Sequence, residues 1–211
     1  MKKIFITCGA NDLKVIDTLM ALSNNLEGSY FYGKEWDEIH CFEPLPWFNA
    51  DYVKEKSELY MFDQFSDMHF HNKAVWIKNE TISFYEHLYG RHFGSSVNPQ
   101  KDGNKKEIKV DGIDFNEWLL NNFSKEDYIF VDMDIECSEY PVVNHMIDGG
   151  SIDLIDELAV EWHHKKCGSW YNWKELENSI NPELDKTEIK ILNHDDIGFG
   201  PNKIFDGGEN K

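Results

Sequence analysis

The sequence predicts an α/β domain: a largely parallel sheet with helices on both faces. Three observations carry this. Short β-branched and aromatic runs alternate with segments of helical spacing along the chain. The run Tyr128 to Ile135 (YIFVDMDI) starts apolar on both faces, as a central parallel strand requires. The first strand-like run leads through a small-residue turn, Gly9-Ala10-Asn11, into a helical pattern.

Each element follows from local pattern. Lys3 to Cys8 (KIFITC) reads as a buried strand ending at Gly9. Asn11 can cap a helix in which Ile16, Leu19, Met20 and Leu26 recur at roughly helical spacing, with Gly28 as its stop. Glu38 to Phe42 is a second strand, and Trp47 to Lys56 a helix. Met68 to Ile77 alternates as a third strand, with Thr81 to Glu86 its expected hairpin partner. Gly90 to Asn104 is loop-like, and Glu107 to Ile113 a short extended segment. Asp114 can cap a helix reaching Phe123. Glu139 to Met146 is helical and ends at Gly149-Gly150, with Pro141 accommodated in the first turn. Leu154 to His163 contains a strand, and Trp173 to Ile180 a helix. Glu188 to Leu192 and Lys203 to Phe205 suit a terminal hairpin, and Gly207 to Lys211 a frayed tail. No linker or repeat divides residues 1–211, so one domain is expected.

The 211 residues suffice for a buried core, and a hydrophobic share of 41% excludes disorder as the default. The formal net charge of −18 disfavours a nucleic-acid partner. It suits a cationic ligand, or serves solubility alone. The four cysteines lack zinc-ligand spacing, and Cys8 and Cys41 read as reduced core residues. No signal-peptide pattern or membrane-length apolar run is present, so a cytoplasmic setting is expected, with no membrane partner.

Four strand ends carry candidate chemistry. The Gly9-Ala10-Asn11 turn lets a ligand approach the backbone and helix N-terminal amides, or is merely a structural turn. Glu43, in Phe42-Glu43-Pro44, can accept both hydroxyls of a ribose. Asp132, Asp134, Glu136 and Glu139 crowd one strand end, a costly arrangement unless hydrated, paired or bound to a cation. Glu139 reads as a helix first-turn acid. Glu161 and His163 share a strand face, and a histidine beside a carboxylate is a sensible general base.

Together these segments resemble the FkbM family of methyltransferases. Gly9-Ala10-Asn11 is similar to the family's acidic-x-Gly-Ala-Asn-x-Gly turn, and Phe42-Glu43-Pro44 to its Phe-Glu-Pro. Asp134-Ile135-Glu136-Cys137-Ser138-Glu139 resembles its Asp-Ile-Glu-Gly-x-Glu block, and Glu161-Trp162-His163 its Glu-x-His pair. The Asn72-Lys73-Ala74-Val75 and Gly94-Ser95-Ser96-Val97 stretches also look like family features. The likeness runs from about Lys3 to His163.

The resemblance implies a class I methyltransferase fold: a Rossmann-like three-layer sandwich whose seven-stranded, mostly parallel sheet has an antiparallel last strand. It implies S-adenosylmethionine as cofactor and a sugar, glycan or related small-molecule hydroxyl as acceptor. Gly9, Ala10, Asn11, Glu43, Pro44, Asn72, Ala74, Ser96 and Asp134 would line the cofactor site. His163 would be the base, with Asp134 or Glu161 orienting it, or Asp134 itself would be. Trp162, Trp170 and Trp173 could stack on a sugar. No metal is expected, although Asp132, Asp134 and His163 or His164 form an oxygen-rich set that a divalent ion could use. Three departures stand out: Thr7 for the family's acid, Leu13 for a turn glycine and Cys137 for the glycine of the acidic block. Cysteine would be strained where a glycine has positive φ. The departures leave a divergent enzyme or an inactive binding module as alternatives.

Overall fold

The computed structural model describes residues 1–11, 13, 15, 16, 18, 19, 29–60, 67–88, 94–99, 105–163 and 172–197. Nine strands are present among these: β1 Lys3–Cys8, β2 Glu38–Phe42, β3 Asp67–His71, β4 Ala74–Trp76, β5 Glu80–His87, β6 Lys105–Asp114, β7 Tyr128–Met133, β8 Glu157–Val160 and β9 Lys190–Asn193. The helices are α1 Ala50–Tyr60, α2 Phe115–Asn122, α3 Glu139–Gly149 and α4 Trp173–Leu184. Short 3-10 turns occupy Ser151–Leu154 and His194–Ile197. Val15, Ile16, Thr18 and Leu19 are helical.

Six strands form the main sheet in the order β3-β2-β1-β7-β8-β9, every pair parallel. The chain winds outward from β1 in one direction, then crosses back to β7 and winds the other way. Strand order therefore reverses between β1 and β7, where open α/β sheets leave a crevice at their carboxyl ends.

Two-residue alternation divides the core. Ile4, Ile6, Val131, Met133, Leu158 and Val160 face α2, α3 and α4, burying Phe115, Leu119, Val143, Met146 and Ile180. Phe5, Ile39, Cys41, Phe130 and Ala159 face the opposite side, against Leu13, Ile16, Leu19, Phe31 and Phe48. Both faces of the central strands are dry, so their continuous apolar runs are explained. Asp114 caps α2, accepting from the Glu117 amide at 3.0 Å. Gly150, left-handed at φ 84°, ends α3.

The middle of the chain departs from expectation. Residues 68–77 do not form one strand: β3 ends at His71, and Ala74–Trp76 belongs to a second sheet, β4-β6-β5. Strand β5 pairs antiparallel with β6 rather than with β3. The register sets Ile82 opposite Val110 and Phe84 opposite Ile108, and Phe84 and Val110 are buried with Leu45, Ala74 and Val97. Cross-strand apolar pairs of this kind select a distant partner over an adjacent one. The segment read as short and extended is thus the 10-residue strand β6. Strand β9 pairs with β8 in parallel. Its expected hairpin partner at residues 203–205, the tail at 207–211, and the stretches 90–93, 100–104 and 164–171 lie outside the described residues. Among the described residues no helix is long and apolar enough to cross a membrane.

Candidate active site at the strand tips

The carboxyl ends of β1, β2, β7 and β8 converge. The amides of Gly9 and Ala10 both donate to the Phe42 carbonyl, at 3.0 and 2.9 Å, and the Asp134 amide donates to the Cys8 carbonyl at 3.0 Å. Gly9 has φ 91°, and a Cβ there would sit 2.0 Å from the Asp134 carbonyl oxygen. Only glycine permits that approach.

Glu43 is buried at the end of β2. Its Oε2 accepts from the Asn11 amide at 2.9 Å and its Oε1 from the Leu45 amide at 3.0 Å. Burial raises its pKa to about 7 against those two hydrogen bonds. The side-chain amide of Asn72 bridges the carbonyls of Glu43 and Leu45 at 2.8 and 2.9 Å. Pro44 follows directly, and Ala74 is buried at the start of β4. Ser96 is fully buried; its hydroxyl donates to the Glu136 carbonyl and accepts from the Asn98 amide at 3.0 Å. Asn72 and Ser96 thus brace the loops around the strand tips.

His163 stands at the centre, 3% exposed. Its Nδ1 lies 2.8 Å from Glu139 Oε1. Its Nε2 lies 3.0 Å from Glu161 Oε1, 3.3 Å from Glu136 Oε2 and 3.7 Å from Asp134 Oδ1. Burial works to lower its pKa, but the carboxylates, Glu139 and Glu161 foremost, raise it to about 11. The ring is an imidazolium at neutral pH, whereas a general base must be neutral. Asp134 moves the other way from an acid's usual value. Burial, then Glu136 and Glu161, lift it to about 7 against the pull of His163.

Two residues that sequence reasoning did not assign to the site belong to it. Glu139 is wholly buried, and beyond His163 it accepts from the Ile135 amide at 3.1 Å and the Cys137 amide at 3.0 Å. Its helix first-turn position is as expected, but it also clamps the 135–137 turn to His163. His194, after β9, sets Nε2 3.3 Å from Asp132 Oδ1 and Nδ1 3.8 Å from Glu161 Oε2. Asp132 is buried, and its other oxygen accepts from Thr7 Oγ1 at 3.1 Å. Thr7, where the family's pattern has an acid, is therefore committed to Asp132.

The other two departures fall on left-handed backbone: Leu13 has φ 61° and Cys137 φ 88°. A non-glycine residue there costs about 1–2 kcal/mol. Both side chains are fully buried, so packing offsets part of that strain. Trp162 packs on Tyr140, ring centroids 4.7 Å apart, and joins the core. Trp170 and His164, and the side chain of Trp173, lie outside the described residues.

No protein-family model and no curated protein matches the chain. Among solved structures, it is similar to the methyltransferase FkbM from Methylobacillus flagellatus KT, with 16% identity and a TM-score of 0.49. The likeness covers 86% of this chain and 38% of that one, so the chain spans well under half of that protein.

Proposed function

We propose that the protein is an S-adenosylmethionine-dependent O-methyltransferase acting on a hydroxyl of a sugar, glycan or related small molecule. The observation that carries this reading is Asp134. It sits at the reversal of strand order among Glu136, Glu161 and His163, and its pKa is raised to about 7. A carboxylate so strained favours a cationic ligand, and its pKa suits proton removal at neutral pH.

The residues present fit the cofactor. Asn11 Oδ1 and Asp134 Oδ1 are buried acceptors with no hydrogen-bond partner among the described residues. Gly9, Ala10 and Asn11 would hold the methionine part. Glu43 would take the ribose on the lone pairs its two amide bonds leave free, with Pro44 shaping that turn. Asn72, Ala74 and Ser96 would flank the adenine side. The seven-stranded sheet with an antiparallel last strand belongs to the same reading. Bound there, the cofactor supplies a methyl group on positively charged sulphur, so the protein's task is positioning and proton removal.

Asp134 takes the acceptor hydroxyl's proton as the oxygen gains its methyl. The imidazolium of His163 balances the surrounding carboxylates and, with Glu161, fixes the direction of Asp134. The charge on His163 supports Asp134 as the base. No metal is needed while His163 supplies the counter-charge.

A second reading, a non-catalytic binding module, draws on Glu43, whose two oxygens are already engaged by backbone amides. Calorimetry with S-adenosylhomocysteine, followed by labelled methyl transfer to a panel of glycans and hydroxylated small molecules, separates the two. Binding with transfer supports the enzyme, and absence of binding supports the module and removes the cofactor from the account.

A further inference from the structure

A second cluster of ligating side chains lies at the edge of the main sheet, apart from the strand tips. Strands β2 and β3 pair in parallel, with Glu38 beside Asp67, His40 beside His69 and Phe42 beside His71. Register-matched residues point to one face, which places two carboxylates and three imidazoles together. The His40 and His69 rings stack at 4.5 Å, and His40 Nδ1 lies 3.1 Å from His71 Nε2. Trp118 and Phe123 meet the His40 ring edge-on at 5.2 and 5.5 Å, which holds its orientation.

From this arrangement we infer that Glu38, His40 and His69 form a binding site for a divalent transition-metal ion of the zinc class. One ligand atom from each lies within 4.8 Å of the others. Glu38 Oε2 and His40 Nε2 are 3.5 Å apart. A tetrahedral zinc ion with bonds of about 2.0–2.1 Å sets its donors about 3.3–3.4 Å apart, so this pair already stands at bridging distance. The other carboxylate oxygen of Glu38 is engaged by Lys2, which aims Oε2 at the site. In the tautomer that gives its Nδ1 proton to His71, His40 turns the Nε2 lone pair towards Glu38, the outer-shell arrangement of a metal-bound histidine. His69 is partly exposed and gives the ion a path from solvent. Asp67, 3.5 Å from His69, or a water completes four-coordination. Two histidines and one carboxylate suit zinc or cobalt rather than magnesium or calcium, which favour all-oxygen sets. The ion would pin edge strand β3 to β2.

The test uses the full chain, freed of metal by chelation, titrated with Zn²⁺ by calorimetry and with Co²⁺ by visible absorption at pH 7. The expected result is one tight ion per chain, a tetrahedral Co²⁺ spectrum, and loss of at least tenfold in affinity in both His69→Ala and Glu38→Gln. His69 is partly exposed, so that variant is expected to keep its fold, checked by circular dichroism. Asp134→Asn keeps the parent affinity. No tight binding to the parent overturns the inference. So does binding that survives His69→Ala, or binding lost in Asp134→Asn, which would move the ion to the strand tips.

Discussion

Replacing Glu139 by Gln tests how the strand-tip cluster is held. In the folded protein His163 keeps its proton to about pH 11, whereas the unfolded ring titrates near 6.5. The stability from this pair is complete below about pH 6.5 and is lost as pH rises towards 11, at about 1.4 kcal/mol per pH unit. Asp134 and Glu43 are raised only to about 7, so both are largely ionised from pH 8 upward and leave this slope to His163. Burial raises the Cys8 and Cys41 thiols, adding a slope of the same sign near pH 9 and above. The variant shares that slope, so the difference between the two proteins isolates His163. Removing one partner of a buried ion pair costs about 3–5 kcal/mol, and Glu139 also anchors two backbone amides. Urea unfolding at pH 8, 9 and 10, followed by tryptophan fluorescence, should show stability falling with pH in the parent. The Glu139→Gln protein should be weaker by several kcal/mol at pH 8 and flatter with pH. Equal slopes, or a variant within about 1 kcal/mol of the parent, would refute the ion-pair account.

Other consequences follow from the same geometry. Asp134→Asn should lower methyl transfer by about 10²–10⁴-fold while changing S-adenosylhomocysteine affinity far less, measured by initial rates and calorimetry. The parent's kcat/KM should rise with pH and reach half its plateau near 7, where Asp134 ionises; a descending limb there would return the acid-base role to another group. Cys137→Gly should relieve about 1–2 kcal/mol of left-handed strain against a smaller loss of burial, leaving the thermal midpoint unchanged or higher. Leu13→Gly relieves the same strain but gives up a buried leucine, worth about 2–5 kcal/mol, and should lower the midpoint.

The main sheet was legible because its strands are buried on both faces, and runs such as KIFITC and YIFVDM permit few other readings. The strand tips were legible because Gly9, Glu43, Asp134 and His163 follow immediately after apolar runs, and two-residue alternation sets Asp132 with Asp134 on one face and Glu161 with His163 on another. The positive φ of Cys137 could also be anticipated from the glycine it replaces. What escaped depends on long-range register. Pairing of β5 with β6 is decided by Ile82 and Phe84 meeting Val110 and Ile108 across a segment of loop-like composition. Glu139 looks like an ordinary first-turn acid until the 135–137 turn folds over it. His194 carries no motif and reaches Asp132 only because β9 lies beside β8. The His40, His69 and His71 ladder exists only once β2 and β3 are in register.

On the proposed function, the strand-tip carboxylates are arranged for a cationic nucleoside cofactor. Calorimetric titration with S-adenosylmethionine at pH 6 and pH 8, each in two buffers of different ionisation heat, tests it most directly. Binding should be tighter at pH 8, with proton release at pH 6 as Asp134 ionises beside the sulfonium. Affinity independent of pH with no proton release, or no binding at either pH, would contradict it.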